Sequence, residues 1–156
     1  MTRDFKSKAI GTIGEKIVAN YMSSTGNEVI WNTEEFGFWD LKINGELCQV
    51  KTFTPFIKYN CWTIPSKNTG INIDHLFECK NLYIISIPSI YIHSTDGKLF
   101  KIPTSSIDKK LIQLQGAINP GIIIKRDHIA LEEIYTLTKE EIKSITDNSV
   151  SYFTKK

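Results

Sequence analysis

Three side chains in FWDLKINGELCQVKT, Phe38 to Thr52, are of types that can act together chemically: the Asp40 carboxylate, the Gln49 amide and the Lys51 ammonium. A carboxylate and an amide oxygen are hard ligands suited to a magnesium ion, and an ammonium beside them suits a phosphate and the water that attacks it. Whether they meet depends on register. Asn44-Gly45 lies between two alternating runs and is the strongest short-range signal for a two-residue type I′ turn, because both positions accept positive φ. That turn pairs Ile43 with Glu46, Lys42 with Leu47, Leu41 with Cys48 and Asp40 with Gln49, and it sets Lys51 diagonal to Asp40 on the same face. The other face carries Trp39, Leu41, Ile43, Cys48 and Val50, the pattern of a hairpin packed on a core. A polar hairpin face is more often simply solvated than catalytic, so the trio needs support from the rest of the chain.

The elements around the hairpin supply a fourth candidate. From about Lys6 to Ser24, Ile10, Ile13, Ile17, Val18 and Tyr21 recur at helical spacing, and Gly26 stands where a helix would stop. On this amphipathic helix Glu15 falls beside Gly11, Val18 and Met22, at the edge of the apolar stripe. An ordinary helix glutamate would pair with Lys16 or Lys8. Gly11 and Gly14 argue for something more, since glycine inside a helix costs roughly 1 kcal/mol relative to alanine and calls for a reason such as close backbone packing. Glu28 to Thr33 reads as a first strand, Phe38 to Ile43 and Glu46 to Phe53 as the hairpin, and Phe56 to Ile64 as a further strand. A loop over Pro65 to Asn72 precedes a short helix over Asp74 to Cys79 and a buried strand over Leu82 to Pro88. Ile90 to His93 and the Asp96-Gly97 turn into Lys98 to Ile102 extend the sheet as a hairpin arm. In the tail, Thr104 to Leu114 reads as a helix and Gly121 to Arg126 as a strand, and Thr138 with Glu141 forms a capping box for a last helix to about Ile145.

Length and composition bound the rest. With 156 residues, 41% of them hydrophobic, the chain can bury one core and is short for two domains. A net charge of +2 is too small to identify a nucleic-acid partner, so any basic footprint must be local. Lys58, Trp62 and Lys67, just beyond the hairpin, are the candidates for such a footprint, though solvated lysines would look the same. Cys48, Cys61 and Cys79 lack metal-site spacing and read as reduced core residues, and His75, His93 and His128 are too dispersed to form a metal cluster. Without a signal-peptide pattern or an apolar run long enough to span a membrane, a soluble, cytoplasmic protein is expected.

GTIGEKIVANYMSSTGNEVI followed by FWDLKINGELCQVKT resembles the core of the PD-(D/E)XK nuclease superfamily, in particular small members such as homing endonucleases and Holliday junction resolvases. WTIPSKN, NIDHLFECKNLYIISIP and KLFKIPTSSI resemble the layout downstream. The resemblance covers about 6–107, leaving 108–156 as a variable extension of a single domain over 1–156. It implies an α/β fold: a restriction-endonuclease-like core with a central mixed β-sheet flanked by helices in αβββαβ order. It also implies a magnesium site, which manganese can fill, held by Asp40, Gln49 and Glu15, with Lys51 as the fourth catalytic residue. The implied activity is hydrolysis of duplex or branched DNA to a 5′-phosphate and a 3′-hydroxyl. Two positions depart from the family pattern: Trp39 stands where proline is common, and the neutral Gln49 where a carboxylate is usual. The rival readings are a DNA-binding protein on the same fold whose site has decayed, and an RNA-processing nuclease, since a fold does not choose its nucleic acid. Cutting both strands of a duplex with one small domain calls for a homodimer or higher homo-oligomer. Its interface is expected in the C-terminal third, where Ala117 to Ile124 is apolar.

Overall fold

A computed structural model describes residues 2–33, 39–53, 61–65, 73–87, 97–107, 112–115, 119–125 and 132–153, with side chains over 10–33, 39–52, 76–87, 97–107 and 132–147. The first helix, α1 (Thr2–Ser24), ends at Gly26, whose φ of +91° is the left-handed conformation that glycine supplies after a helix. It leads to β1 (Val29–Trp31) and then to the hairpin of β2 (Leu41–Ile43) and β3 (Glu46–Phe53). Asn44 at φ +51° and Gly45 at φ +82° make the expected turn, and the pairs Ile43–Glu46, Lys42–Leu47 and Leu41–Cys48 follow its register. Asn44 also ties the turn to the loop after α1: its Oδ1 accepts from the Glu28 N–H at 2.9 Å and its Nδ2 donates to Asn27 Oδ1 at 2.7 Å.

Beyond β4 (Cys61–Pro65) and the short α2 (Ile73–Glu78), β5 (Asn81–Ser86) runs parallel to β3, and β6 (Lys98–Pro103) returns antiparallel to β5. Two short strands, β7 (Ile112–Gln115) and β8 (Asn119–Lys125), precede β9 (Glu132–Thr136) and α3 (Lys139–Phe153). The protein is therefore an α/β fold whose six-stranded mixed sheet, in the order β1-β2-β3-β5-β6-β9, is packed against helices. A separate three-stranded sheet has the order β4-β8-β7.

One core lies between the sheet and the helices α1 and α3. Ile17, Val18, Ala19 and Met22 of α1 meet Leu41, Ile43, Cys48, Val50, Tyr83, Ile85 and Leu99 of the sheet, with Leu137, Ile142 and Ile145 from the C-terminal segment. On the opposite face, Leu82, Ile84, Phe100 and Ile102 are buried, as are Leu76 of α2 and Ile107. All six residues of β5 are buried, as befits the parallel strand covered on both faces.

Three expectations change. The described parts of Thr104 to Leu114 form no α-helix: Thr104–Ser106 is a single 3₁₀ turn, and Ile112–Gln115 is a strand whose alternating Ile-Gln-Leu-Gln pattern fits a period of two. The Thr104 hydroxyl donates to the carbonyls of Cys79 and Lys80, which ties the chain to the loop before β5 at the point where a helix would have to begin. The segment over Phe56 to Ile64 enters the sheet of β8 and not that of the hairpin, and its described part starts at Cys61. Finally, the segment beyond Ile107 is integral to the main sheet and its core through β9 and α3. The capping box forms as expected, with the Thr138 N–H donating to Glu141 Oε1 at 2.8 Å and the Glu141 N–H to Thr138 Oγ1 at 3.2 Å, but α3 runs on to Phe153. The strand expected over Ile90 to His93 and the Asp96 half of its turn lie outside the described residues.

Candidate active site

The recorded pairing of β2 with β3 stops at Leu41–Cys48, one residue short of the expected Asp40–Gln49 rung. Asp40 meets β3 differently. Its N–H donates to the Cys48 carbonyl at 2.8 Å, and its carboxylate Oδ2 accepts from the Val50 N–H, also at 2.8 Å. The side chain thus takes the backbone donor that a longer β2 would have used, and among the described residues Oδ1 accepts no hydrogen bond. Asn32, just past β1, fixes this bend: its N–H donates to the Asp40 carbonyl at 3.1 Å and its Nδ2 to the Trp39 carbonyl at 2.7 Å.

Where β2 ends, a cavity of about 280 Å³ opens at the margin of the sheet, lined by Ile10, Gly11 and Glu15 of α1, Asp40, and Val50, Lys51 and Thr52 of β3. Alternation along β3 puts Val50 and Thr52 on the α1 face and Lys51 on the other, so the cavity is reached from both sides of the strand. The two glycines of α1 divide the work. A Cβ at Gly14 would overlap Thr52 Oγ1, so helix and strand approach closely only because Gly14 has no side chain, whereas a Cβ at Gly11 would meet nothing within 4 Å. Gly14 brings α1 onto β3, and Gly11 leaves the space into which Glu15 looks.

The electrostatics reflect this crowding. Burial, and then the neighbouring Asp40 charge, push the Glu15 carboxyl up to about 7, with Lys51 acting in the opposite direction. Asp40 is also raised above the usual carboxylate range, chiefly by burial, while the Val50 hydrogen bond and Lys51 oppose the rise. Two half-buried carboxylates that repel each other beside an ammonium form a site that gains from a bound cation.

Glu15, Asp40 and Lys51 are therefore brought together, and Gln49 is not among the residues lining their cavity. It is 7% exposed and lies beside Leu82 on the face of β3 that Lys51 shares. Lys58 and Lys67 lie outside the described residues, as does the side chain of Trp62, whose backbone pairs with Ile124 in the smaller sheet. Thr52 and Asn32 were missed by sequence reasoning. Alternation from Lys51 puts Thr52 on the helix side and Gly14 hints at its close approach, but nothing local to Asn32 marks it. Cys48 and Cys79 are buried free thiols, each pushed up to about 12 chiefly by burial, and so are inert core residues as expected.

Among the described residues no three His, Cys, Asp or Glu side chains cluster to hold a metal, so Glu15 and Asp40 form a two-carboxylate set. Two hard anionic oxygens still fit magnesium or manganese, which are commonly held by one or two carboxylates with water and phosphate completing the shell. Among the described residues no helix is long and apolar enough to cross a membrane. No family model matches the chain, and no curated protein matches it.

Proposed function

We propose that this protein is a metal-dependent DNA endonuclease of the PD-(D/E)XK type, hydrolysing phosphodiester bonds with magnesium or manganese. The observation that carries the reading is the convergence of Glu15, Asp40 and Lys51 on one cavity. Glu15 comes from α1, Asp40 from the bend just before β2 and Lys51 from β3, in the chain order that the resemblance implies. The parallel β3–β5 pair, with α2 between its strands in sequence, fits the αβββαβ layout.

In this reading Asp40 and Glu15 would hold the cation, which when bound would supply Lewis-acid charge to the phosphodiester. The Val50 N–H keeps one Asp40 oxygen fixed, so the other is presented without rotamer search. Lys51 donates to a non-bridging phosphate oxygen, orients the attacking water and offsets the charge that grows in the transition state. Glu15, near neutrality in its protonation, accepts a proton from water when the cation is absent and acts as an anionic ligand when it is present.

Magnesium-dependent cleavage of plasmid DNA, abolished by EDTA, is the expected result, and Lys51→Ala or Asp40→Asn should slow it by about 100- to 1000-fold while the thermal melt persists. Near wild-type cleavage by either variant removes the assignment. Gln49 favours a second reading: its position away from the cavity leaves the site one ligand poorer than the family pattern, as in a nuclease fold that binds DNA without cutting it. DNA binding with no cleavage of plasmid, branched, single-stranded or RNA substrates would select that reading. The duplex reaction also calls for a homodimer. Light scattering should show two copies on uncut DNA, and a monomer in both the free and the bound state would remove the dimer.

A further inference from the structure

We infer that the pocket at the C-terminal end of α1 binds a small organic ammonium ion, held between the carboxylates of Glu46 and Glu132 with the Tyr83 hydroxyl as a third contact. The site is separate from the candidate active site and does not depend on the nuclease reading: Gly11 lines one cavity and Met22 the other, about 16 Å apart along the helix. Pairing of β3 with β5, β5 with β6 and β6 with β9 sets Val50, Tyr83, Lys101 and Glu132 in one row across the sheet, and alternation from Val50 puts Glu46 on the same face. That is the face α1 covers. Where α1 ends, a pocket of about 240 Å³ lies over these residues, with Met22, Ile43 and Ile134 as its apolar wall.

Tyr83 is the observation that points to a ligand. The residue is 2% exposed and packed in the core, yet its hydroxyl makes no hydrogen bond among the described residues. A buried tyrosine usually finds a partner for that group. Nor is the hydroxyl sealed in the packing: Thr52 Oγ1 is the one fully enclosed side-chain oxygen or nitrogen without a partner among the described residues, so the Tyr83 oxygen, equally unpartnered, keeps a surface that a neighbour can touch. The pocket supplies that neighbour's place, since Tyr83 lines it, and burial, then Cys48, Glu46 and Glu132, hold its pKa above the ordinary phenol range. The hydroxyl thus lies where it feels both carboxylates. Charge chooses the ligand. Lys98 with Glu133 is the one ion pair among the described residues, which leaves Glu46, Glu132 and Lys101 unpaired around the pocket. Two anions against one cation, at the negative end of a helix with no basic residue in its last turn, select positive charge. An ammonium ion donates to both carboxylates and to the phenol oxygen while its carbon chain lies on the apolar wall, and among the described residues no three His, Cys, Asp or Glu side chains cluster to hold a metal instead. The volume falls below the roughly 300–1,000 Å³ of drug-sized sites and suits a molecule of a few heavy atoms.

The test titrates the full-length protein with n-butylamine, with butyrate as the same chain bearing the opposite charge, and with manganese, following backbone amides by nuclear magnetic resonance. Butylamine should shift the amides of Asn27, Asn44 and Tyr83 and spare those of Gly11, Asp40 and Lys51, with a dissociation constant of about 1–10 mM, the range open to so small a molecule. Glu132→Gln and Tyr83→Phe should each weaken it by about three- to tenfold. Tyr83→Phe should melt no lower than wild type, because no hydrogen bond leaves with the hydroxyl, and should it fail to fold, Glu46→Gln takes its place. Lys101→Gln should tighten butylamine binding by about twofold, since it removes the opposing charge. Butyrate or manganese shifting these amides at a lower concentration than butylamine assigns the pocket to an anion or a metal and overturns the inference. Butylamine binding that is equal in wild type, Glu132→Gln and Tyr83→Phe overturns it as well, and so does the absence of any shift, which makes water the pocket's occupant.

Discussion

Glu15 is the residue whose chemistry should be easiest to read in solution, because its carboxyl, pushed to about 7 by burial and by Asp40, titrates near neutrality instead of near 4.5. The folded state then holds the proton more tightly than the unfolded chain between those two values. Without cation, stability contributed at Glu15 is present at low pH and is lost as pH rises from about 4.5 to about 7. A cation that binds the deprotonated form reverses this, so the rise in melting temperature on adding manganese should grow as pH passes through 7. Glu15→Gln should flatten both trends, and a melt whose pH dependence is the same in wild type and variant would show that Glu15 does not titrate there. Gln49 makes a second prediction at this scale. As a ligand it would turn Gln49→Glu into a tighter magnesium site; buried beside Leu82 on the Lys51 face of β3 and not lining the cavity, it should instead lower the melting temperature, since a carboxylate would be taken out of water. Magnesium activation should not improve, and a lower half-activating magnesium concentration would restore Gln49 to the site. Asp40 and Lys51 were readable in the sequence because an Asn-Gly turn fixes register, and register fixes faces. Gln49 was read onto the site by the same rule, and it shares the Lys51 face of β3 without lining the cavity.

At the scale of elements, α1 and the hairpin were legible because their signals are local: helical spacing of apolar residues, a glycine stop and a two-residue turn. The capping box before α3 was legible for the same reason. Much less readable was β9, since Glu132 and Glu133 open it with poor strand formers, and it is a strand because the edge of β6 is there to pair with. The two glycines of α1 test how the helix is seated. Gly14→Ala drives a Cβ into Thr52 Oγ1 on a short, branched side chain that has little room to yield. Overpacking of about 1–3 kcal/mol, offset by about 1 kcal/mol of helix propensity, should leave a net loss in urea unfolding. Gly11→Ala meets open space and should gain up to about 1 kcal/mol from the same propensity. If the two variants shift stability alike, Gly14 is not where α1 rests on β3.

For the whole molecule, the question is where the fold ends. The sequence resemblance stops near Ile107, which makes the remaining third a variable extension of the domain. The structure makes it part of the core: β9 is the outer strand of the main sheet, and Leu137, Ile142 and Ile145 are 5%, 2% and 0% exposed within the cluster that also holds α1. Other contacts lock the segment in place. Tyr21 of α1 donates its hydroxyl to the Ile134 carbonyl at 2.8 Å and stacks on Tyr135 with ring centroids 4.6 Å apart, and the Leu137 N–H donates to the buried Gly97 carbonyl at 3.0 Å. Burial of a Leu or Ile side chain contributes about 1.5–3 kcal/mol, so these three alone supply about 5–9 kcal/mol. That is comparable with the whole net stability of a domain, about 5–15 kcal/mol. Removing the segment would also uncover the β6 edge and one side of α1, inviting association through an unpaired strand. A chain ending at residue 131 should therefore show no cooperative thermal transition by circular dichroism and should aggregate at concentrations where the full chain stays dispersed. Because α1 carries Glu15, it should lose manganese binding as well. A cooperative melt near the full-length temperature would mean that α1 and the sheet hold the site without β9 and α3, and that the core closes at Ile107 after all.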